Sequence, residues 1–310
     1  MNHLPLVTIA IITYNGEKTI EKAILSALNQ SWPNKEILVI NDGSTDQTAK
    51  IIEKYRGVVS HVFFKENQGR AKARNEALNR AKGSWIQWLD HDDYLDQNKI
   101  NNHFSLTAEL DTIDVFYSPI IAVSPEGKEK YVPSAKAMSR PILSLWFSSE
   151  LPQTGGYLWK KTSVAKIGGW SDYASLYDDY ELVGRAIQSN LKFSLTPIAG
   201  AYWNYRNKPM AHQQAMEFIE QKKRCMDRMV QWLNQNGQLV PELKKEIGKA
   251  YFLVARWLAK EGKIEEAVAL ERKQKPLGLF CVDGPLRYSV LYSLFGFSVT
   301  EKIQSIFRQK

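Results

Sequence analysis

The architecture of this chain follows most directly from one stretch, Glu36-Ile37-Leu38-Val39-Ile40-Asn41-Asp42-Gly43-Ser44-Thr45-Asp46. Its first half is a short apolar run, and its second half is an acid followed by residues that favour turns. A short apolar run that ends at a turn is typical of a fully buried strand in a parallel sheet. The sequence therefore predicts a strand over 36–41 that delivers Asp42 at its carboxyl end.

A second stretch has the same design, with the apolar run Ser84-Trp85-Ile86-Gln87-Trp88-Leu89 leading into Asp90-His91-Asp92-Asp93. Two strands that each end in carboxylates place acids at the carboxyl edge of an open α/β sheet, where ligands bind. An Asp-x-Asp arrangement at that edge suits a hard divalent cation whose other ligands are phosphate oxygens. The pattern therefore indicates an enzyme that acts on a metal-bound nucleotide.

Strand-forming and helix-forming segments alternate through the first 90 residues. We predict strands at 7–13, 36–41, 62–64 and 85–89, and helices at 17–30, 46–55 and 71–81. Units of this length imply right-handed crossovers and a largely parallel sheet. In such a sheet four polar clusters, one after each strand, meet at one edge: Thr13-Tyr14-Asn15, Asp42-Gly43-Ser44, Asn67-Gly69-Arg70 and Asp90-His91-Asp92.

The rest of the chain is less regular. We predict strands at 115–121 and 157–160, a helix at 177–189, and helical structure throughout from about residue 215. Neither a G-x-x-x-x-G-K-[ST] phosphate loop nor a G-x-G-x-x-G fingerprint is present, so the ordinary mononucleotide and dinucleotide motifs are excluded.

The 310 residues carry a net charge of +8, with a sequence pI near 9.2. A basic balance favours anionic partners, but the basic residues are dispersed and form no nucleic-acid motif, so nucleic acid is not an expected partner. The two cysteines, Cys225 and Cys281, are too few for a disulfide framework or a zinc cluster. The run Leu4 to Ile12 reads as a first strand rather than a signal segment. The low cysteine content fits a reducing compartment, and we predict a cytoplasmic protein. No stretch approaches the roughly 18 apolar residues of a membrane span.

Taken together, these motifs resemble those of inverting family 2 glycosyltransferases, which have the GT-A nucleotide-sugar-binding fold. The resemblance covers roughly residues 6–210, and its specificity lies in the order and spacing of five segments. They are Val7–Asn15, Ile40–Asp46, Asn67–Gly69 with Ala73–Asn75, Leu89–Asp93, and Gly168–Trp170 with Asp178–Leu182. One departure is Asp178, which stands where the family usually has glutamate.

The resemblance implies a role for each matching residue. It assigns Thr13, Tyr14 and Asn15 to the nucleotide-sugar site, with Tyr14 against the nucleobase and Asp42 accepting a hydrogen bond from a ring N–H. It places Asp90 at the ribose or sugar. Asp92 would ligate the metal ion, Arg74 would lie near the diphosphate or brace the loop, and Asp179 would be the catalytic base. Further candidates are Arg70, Asp93, Asp178 and Arg206.

The same resemblance implies an α/β GT-A (Rossmann-like) fold, with a mixed, largely parallel sheet flanked by helices and a C-terminal α-helical extension. The catalytic domain would span 1–212, with a nucleotide-binding half at 1–97 and an acceptor half at 98–212, and the helical region 213–310. The implied reaction moves a sugar from a nucleotide-diphosphate sugar to a hydroxyl of a glycan or lipid-linked saccharide, with Mg²⁺ or Mn²⁺ as cofactor. Such a reaction belongs to polysaccharide biosynthesis.

Other interpretations stay open at this point. Asp42 could belong to a simple turn. The acids Asp90, Asp92 and Asp93 could form an N-cap for a helix starting near Gln97, with Asp93 as its capping residue. Asp179 could belong to a solvated acidic helix start. At the level of function, the alternatives are a non-catalytic carbohydrate- or nucleotide-binding module and a nucleotidyltransferase, although the latter would need a Gly-rich loop after the first strand.

Residues 271–310 contain seven Lys and Arg against three Asp and Glu, interleaved with large apolar residues. A basic, apolar and non-spanning segment is typical of peripheral contact with an anionic membrane, here its inner face. A helical cap on the catalytic domain or a dimer contact is the alternative.

Overall fold

The structure is a computed structural model that describes residues 4–106, 110–205 and 210–308. The chain divides into two compact units. The first takes in the described residues of Met1–Ile142 and Glu150–Lys208, and the second those of Leu143–Ser149 and Pro209–Lys310. The division into catalytic and C-terminal regions at residue 212 stays a prediction.

The described strands belong to two sheets in the first unit. In chain order they are β1 Val7–Thr13, β2 Lys35–Asn41, β3 Ser60–Phe63, β4 Trp85–Asp90, β5 Tyr94–Leu95, β6 Val115–Tyr117, β7 Ile120–Val123, β8 Glu129–Val132, β9 Tyr157–Lys160, β10 Phe193–Leu195 and β11 Ala201–Asn204. The described residues form a large sheet of seven strands in the order β10-β6-β9-β4-β1-β2-β3. A smaller sheet has the order β5-β11-β7-β8.

The described helices are α1 Ile20–Leu28, α2 Thr48–Glu53, α3 Arg70–Arg80, α4 Lys99–Ser105, α5 Ala135–Met138, α6 Ile142–Ser148, α7 Lys161–Lys166, α8 Asp178–Gln188, α9 His212–Gln235, α10 Pro241–Lys260, α11 Ile264–Gln274 and α12 Leu286–Arg308. In the first unit, α1 and α3 pack on β1 and β2. The predicted fold class, a mixed and largely parallel sheet flanked by helices with a helical C-terminal region, is confirmed.

Strand β1 is the centre of the large sheet. All seven of its residues are buried, and it pairs in parallel with β2 on one side and β4 on the other. The four strands predicted before residue 90 are all present and run parallel to one another. Their carboxyl ends therefore share one edge of the sheet, as predicted. Beyond β4 the sheet turns antiparallel, because β9 pairs antiparallel with both β4 and β6.

The single strand predicted over 115–121 is wrong. The chain forms β6 in the large sheet and β7 in the small one, separated by Ser118-Pro119. Proline has no N–H to donate to a ladder and restricts the residue before it, so a continuous central strand cannot pass through Pro119. The break lets the chain cross from one sheet to the other.

The second unit is helical in its described part. Helix α12 is interrupted at Gly296, whose φ of 72° and ψ of 178° are not helical. Tyr288 and Phe297 are buried and pack on Phe252 of α10. None of the described helices combines the length and the apolar character needed to cross a membrane.

Candidate functional site

The carboxyl ends of β1, β2 and β4 form one wall of a cleft. Thr13 is in register with Asn41, and Ile12 is in register with Asp90. The cleft has a volume of about 320 Å³. Six of the residues predicted for the site line it: Thr13, Tyr14, Asp42, Arg70, Asp90 and Asp92. The structure therefore brings together most of the binding residues that the sequence proposed separately.

Asp42 holds the loop that follows β3. Its side chain is buried, and its two oxygens accept hydrogen bonds from the backbone N–H groups of Gln68, at 2.8 Å, and Gly69, at 3.0 Å. Gly43 has a φ of 74°, and a Cβ there would lie 2.4 Å from the carbonyl carbon of Glu66. Asp42 is thus more than a simple turn residue. Each carboxylate oxygen keeps a second lone pair, so the predicted hydrogen bond to a nucleobase remains chemically possible.

In the loop after β1, some residues line the cleft and another bonds to a neighbouring loop. Tyr14 is 45% exposed at the cleft, and the Thr13 hydroxyl is buried there with no hydrogen-bond partner among the described residues. Asn15, in contrast, does not line the cleft: its N–H donates to the Ser44 hydroxyl at 2.9 Å and its Oδ1 accepts from the Thr45 N–H at 2.8 Å. Its predicted place in the nucleotide-sugar site stays a prediction, while its observed contacts join the loops after β1 and β2.

Behind the cleft, Arg74 is completely buried and surrounded by acids. Its Nη1 donates to Asp178 at 2.7 Å, and its Nη2 donates to Asp90 at 2.9 Å and to the Thr154 hydroxyl at 3.1 Å. The guanidinium also lies 4.2 Å from the centre of the Trp170 ring. Burial alone would lower the pKa of Arg74, but the negative charges beside it outweigh burial and raise that pKa. The positive charge is therefore permanent.

The two segments of the last motif meet at this arginine. Asn75, next to Arg74, donates from Nδ2 to the carbonyl of Trp170 and accepts the Trp170 N–H, both at 2.8 Å. Gly169 has a φ of 69°, and a Cβ there would lie 2.4 Å from Asn75 Oδ1. This contact explains why a glycine precedes the tryptophan.

Asp179 lies deep in the same group. It is 7% exposed and accepts a hydrogen bond from the Thr154 hydroxyl at 2.8 Å. Burial, followed by the charge of Asp178, raises the pKa of Asp179 to about 7. The alternative of a solvated acidic helix start is wrong, because Asp178, Asp179 and Glu181 are all buried. We call Arg74, Asp90, Thr154, Asp178 and Asp179 the arginine cluster.

Arg70 links the cleft to the arginine cluster. It lines the cleft, donates to the carbonyl of Ser175, and lies 3.5 Å from Asp178. Its side chain is half exposed, so it presents a positive charge to the cleft. Arg206, the remaining predicted candidate, lies outside the described residues.

Asp92 and Asp93 differ in their surroundings. Asp92 is partly exposed and lines both the cleft and a neighbouring groove of about 420 Å³. Asp93 is buried, and its Oδ1 accepts the N–H of Asn204 on β11 at 2.9 Å. Burial, reinforced by the charge of Asp90, raises the pKa of Asp93 to about 8. Asp93 does not cap α4: that helix begins at Lys99 without a side-chain capping bond, so the capping alternative is wrong.

A divalent cation would need ligands beyond the protein. Among the described residues, no group of three or more His, Cys, Asp or Glu side chains could hold a metal ion. Mg²⁺ is commonly bound by one or two carboxylates together with substrate phosphates. Asp92 fits that pattern, because it offers a partly exposed carboxylate on the cleft wall.

Thr154 is the residue that the sequence did not indicate. It lies in the short 3₁₀ turn Thr154–Gly156, in a Gln-Thr-Gly-Gly stretch that resembles an ordinary turn. Its hydroxyl is buried between a cation and a carboxylate that are 80 and 25 residues away in the chain. No local sequence pattern predicts a contact between residues so far apart in the chain.

Comparisons with known proteins agree with this geometry. Residues 8–164 match the family model described as Glycosyl transferase family 2. An uncharacterized glycosyltransferase of Rickettsia typhi is 42% identical over 111 residues, which cover 36% of this chain and 35% of the relative. The putative teichuronic acid biosynthesis glycosyltransferase TuaG of Bacillus subtilis is 36% identical over 111 residues, which cover 35% of this chain and 44% of the relative. The matched region thus spans about a third to less than half of these relatives.

Two solved structures share the fold. TarS residues 1–349 from S. aureus, in complex with UDP-GlcNAc, has a TM-score of 0.58 at 18% identity and covers 87% of this chain and 91% of its own. The mannosyltransferase PcManGT from Pyrobaculum calidifontis, in complex with GDP-Man and Mn²⁺, has a TM-score of 0.62 at 15% identity. It covers 100% of this chain and 89% of its own. At these identities the likeness concerns the fold alone, and it confirms the GT-A architecture. Since the family model matches half of the 310 residues, the chain belongs to glycosyl transferase family 2.

Proposed function

We propose that this protein transfers a sugar from a nucleoside-diphosphate sugar to a hydroxyl of a saccharide or lipid-linked saccharide, with inversion at the anomeric carbon. The observation that carries the proposal is Asp179. It is a buried carboxyl with a pKa of about 7, held in the arginine cluster beside the cleft. A carboxyl with that pKa can take a proton at neutral pH, which is what activation of a sugar hydroxyl requires.

Each residue of the site has its own role in the proposed reaction. Tyr14 and Asp42 receive the nucleobase in the cleft, and Asp90 receives the ribose or sugar. Asp179 removes the proton of the attacking hydroxyl as the bond to the anomeric carbon forms and the bond to the diphosphate breaks. Because attack comes from the face opposite the leaving group, the configuration inverts in one step. Arg74 keeps Asp90 ionised by its charge, which lowers the pKa of Asp90 against the effect of burial.

Mg²⁺ or Mn²⁺, bound by Asp92 and the diphosphate, would neutralise the negative charge that develops on the leaving group. The complex of PcManGT with Mn²⁺ supports a divalent cation in a protein of this fold. The partly exposed Asp92 carboxylate supports its place in this chain.

The first experiment is calorimetric titration of the protein with UDP, GDP and dTDP, each with Mn²⁺ and with EDTA. We expect one nucleotide to bind with Mn²⁺, and its affinity to fall at least about tenfold in EDTA or in Asp92→Ala. Asp172→Ala, which removes an exposed acid outside the cleft, serves as the matched control. Absence of binding to all three nucleotides by the folded protein would overturn the proposal.

The second experiment identifies the product. Release of a nucleoside diphosphate from the matching sugar donor supports glycosyl transfer, whereas release of pyrophosphate from the nucleoside triphosphate and a sugar 1-phosphate would indicate nucleotidyl transfer. Asp179→Asn is expected to slow the release about 10²–10⁴-fold while nucleotide binding is kept. Binding without any turnover would favour the non-catalytic module.

The acceptor side of the proposal rests on α12. Leu286, Val290 and Leu294 follow one another at four-residue spacing, so they share a helical face, and they are 81%, 48% and 68% exposed. Phe295, also exposed, adjoins them, and Arg287 beside them is exposed as well. We place this face on the anionic inner surface of a membrane, where a lipid-linked saccharide would be presented. The name of the Bacillus subtilis relative supports a role in polysaccharide biosynthesis.

Co-sedimentation with liposomes tests the membrane contact. The protein should sediment with vesicles that contain phosphatidylglycerol at low salt and stay in solution with neutral vesicles. The double variant Leu286→Ser, Leu294→Ser should lose this binding, while Val58→Ser, which changes an exposed valine of the first unit, should keep it. If the double variant changes only the oligomeric state measured by light scattering, the face is a dimer contact and the membrane proposal fails.

A further inference from the structure

The hydroxyl of Thr154 connects the cation of the arginine cluster to the carboxylate of Asp179. Thr154 is 4% exposed, and its Oγ1 lies 3.1 Å from Arg74 Nη2 and 2.8 Å from Asp179 Oδ1. Arg74 also donates hydrogen bonds to Asp178 and Asp90. A chain of hydrogen bonds therefore runs from Arg74 through Thr154 to Asp179.

The chemistry of the three groups determines the direction of this chain. Guanidinium groups only donate hydrogen bonds, so the Thr154 oxygen must accept from Arg74. A hydroxyl has a single proton, and here that proton is left for Asp179 Oδ1. The threonine cannot rotate its proton elsewhere without losing a charge-assisted hydrogen bond.

We propose that Thr154 is a positioning residue, which holds Oδ1 of Asp179 and leaves Oδ2 as the oxygen that takes the proton of the acceptor hydroxyl. The proposal rests on the proposed role of Asp179 as the base. A general base must be aimed within hydrogen-bond reach of the proton it removes. Thr154 fixes the orientation of the Asp179 carboxylate, because a carboxylate anchored through one oxygen cannot rotate freely about its Cβ–Cγ bond.

The position of Thr154 does not depend on its own side chain. Gln87 Nε2 donates to the carbonyl of Gly155 at 3.2 Å, and the Ser118 N–H donates to the carbonyl of Gly156 at 2.9 Å. A Cβ on Gly156 would lie 2.5 Å from Pro152 Cβ, so the backbone is packed closely. Substitutions that change only the Thr154 hydroxyl should therefore leave the turn in place.

Several charged or titratable groups act on Asp179 from the elements around it. Asp178 and Asp90 oppose its ionisation, and Arg74 favours it. Tyr157, Tyr180 and Asp93 also interact electrostatically with it, and the buried Tyr157 hydroxyl has no hydrogen-bond partner in the described part of the chain. Donation by Thr154 favours the ionised form of Asp179, so its loss should raise the pKa of that carboxyl.

The test compares Thr154→Val, which removes the hydroxyl and keeps the shape, with Thr154→Ser, which keeps the hydroxyl. The free protein, labelled with carbon-13 at its aspartate carboxyl carbons, is titrated by NMR, and the Asp179 signal is identified by its loss in Asp179→Asn. We expect the midpoint to rise by on the order of one pH unit in Thr154→Val and to stay in place in Thr154→Ser. Thr300→Val removes a buried hydroxyl in the second unit and serves as the control.

An unchanged midpoint in Thr154→Val, or an equal rise in Thr154→Ser, would overturn the proposal. If Thr154→Val does not fold by circular dichroism, Thr154→Ala takes its place in the same comparison with Thr154→Ser.

Turnover of the sugar donor supplies the second measurement. Thr154→Val should lower kcat at least about tenfold with KM unchanged, and the acidic limb of its pH profile should move by the shift seen in the titration. Thr154→Ser should restore both. If the titration shifts but Asp179→Asn turns over normally, the hydrogen-bond chain stands and the proposed base fails. If Asp179→Asn is inactive and Thr154→Val is normal, the base stands and the role of Thr154 fails.

Discussion

Two polar clusters are buried in the first unit, and burial has opposite outcomes for the charge of their basic residues. The arginine cluster sets one permanent cation among three carboxylates. The other, which we call the lysine cluster, consists of Lys99 and His103 on α4 with Ser118 and Thr196. Lys99 Nζ lies 2.8 Å from His103 Nε2 and 3.4 Å from the Ser118 hydroxyl, and His103 Nδ1 lies 2.6 Å from the Thr196 hydroxyl. Within the described residues, Lys99 meets a second base rather than an acid.

The consequences for ionisation are opposite. In the arginine cluster, neighbouring charges outweigh burial for Arg74 and Asp90, so both stay ionised. In the lysine cluster, burial lowers the pKa of Lys99 to about 7 and, with the charge of Lys99, lowers that of His103 well below its usual value. A buried group thus keeps its charge when a partner compensates it and loses its charge when only solvent is removed. The arginine cluster is suited to proton transfer, and the lysine cluster is suited to packing in the interior.

The largest effect should come from removing the compensating cation. Arg74→Met takes away the buried cation among these acids and leaves only the half-exposed Arg70 near them, and we expect a loss of about 3–5 kcal/mol in the free energy of unfolding. Urea denaturation measures it. Arg80→Met, on the exposed side of the same helix, is the control and should change stability by about 0.5 kcal/mol or less. A similar small change for Arg74→Met would show that its charge is not needed to hold the acids.

The lysine cluster predicts a dependence of stability on pH. Unfolded lysine keeps its proton until about its ordinary pKa of 10.5, whereas folded Lys99 releases it near 7, so folding expels a proton between these values. The free energy of unfolding should therefore rise with pH through this window, by about 1.4 kcal/mol per pH unit from this group. From pH 7 to 9 the rise is about 2.3 kcal/mol, because folded Lys99 is only half deprotonated at pH 7, and the contribution is lost well below pH 7.

Lys99→Met removes this contribution. Urea denaturation at pH 7 and pH 9 should show a flatter pH dependence for Lys99→Met than for the parent protein. Lys50→Met, which replaces an exposed lysine of α2, should leave the slope unchanged. If Lys99→Met keeps the parent slope, Lys99 is charged in the folded protein and the contrast between the two clusters disappears.

The smallest effect concerns the pH dependence of turnover. A base with a pKa of about 7 is mostly protonated at pH 6, so release of the nucleoside diphosphate should be roughly tenfold slower at pH 6 than on the plateau above pH 8. The rate rises with pH because the ionised form of Asp179 is the active one. Initial rates between pH 5.5 and 9 measure it. A flat profile through pH 7 would separate Asp179 from the rate-limiting proton transfer.

The nucleotide side of the site was predictable because its signals are local. Each of Thr13, Asp42 and Asp90 stands directly after or at the end of an apolar run, and parallel pairing brings such positions to one edge. The same logic predicted the first four strands. It could not tell that Asn15 braces a neighbouring loop, because side-chain direction is not contained in the spacing.

The acid–base side was predictable only in part. Asp178 and Asp179 could be named from their motif, but the bond of Asp178 to Arg74 spans 104 residues, and Asp179 is linked to Arg74 only through Thr154. Thr154 and the lysine cluster carry no local pattern, because each is defined by groups that meet only after folding. Pro119 is visible in the sequence. Because proline interrupts a central strand, its presence is enough to predict two separate strands, β6 and β7.

The position of β4 in the large sheet has a consequence for synthesis. Its two neighbours, β1 and β9, come from distant parts of the chain, and β9 begins only at Tyr157. A nascent chain shorter than that can pair one side of β4 but leaves the other side as an open edge. The strand is nearly all buried in the finished protein and includes Trp85 and Trp88, so this temporary edge is apolar. Ribosome-bound intermediates of this protein therefore pass through a stage at which they are suited to pair with other strands, until the antiparallel partner arrives.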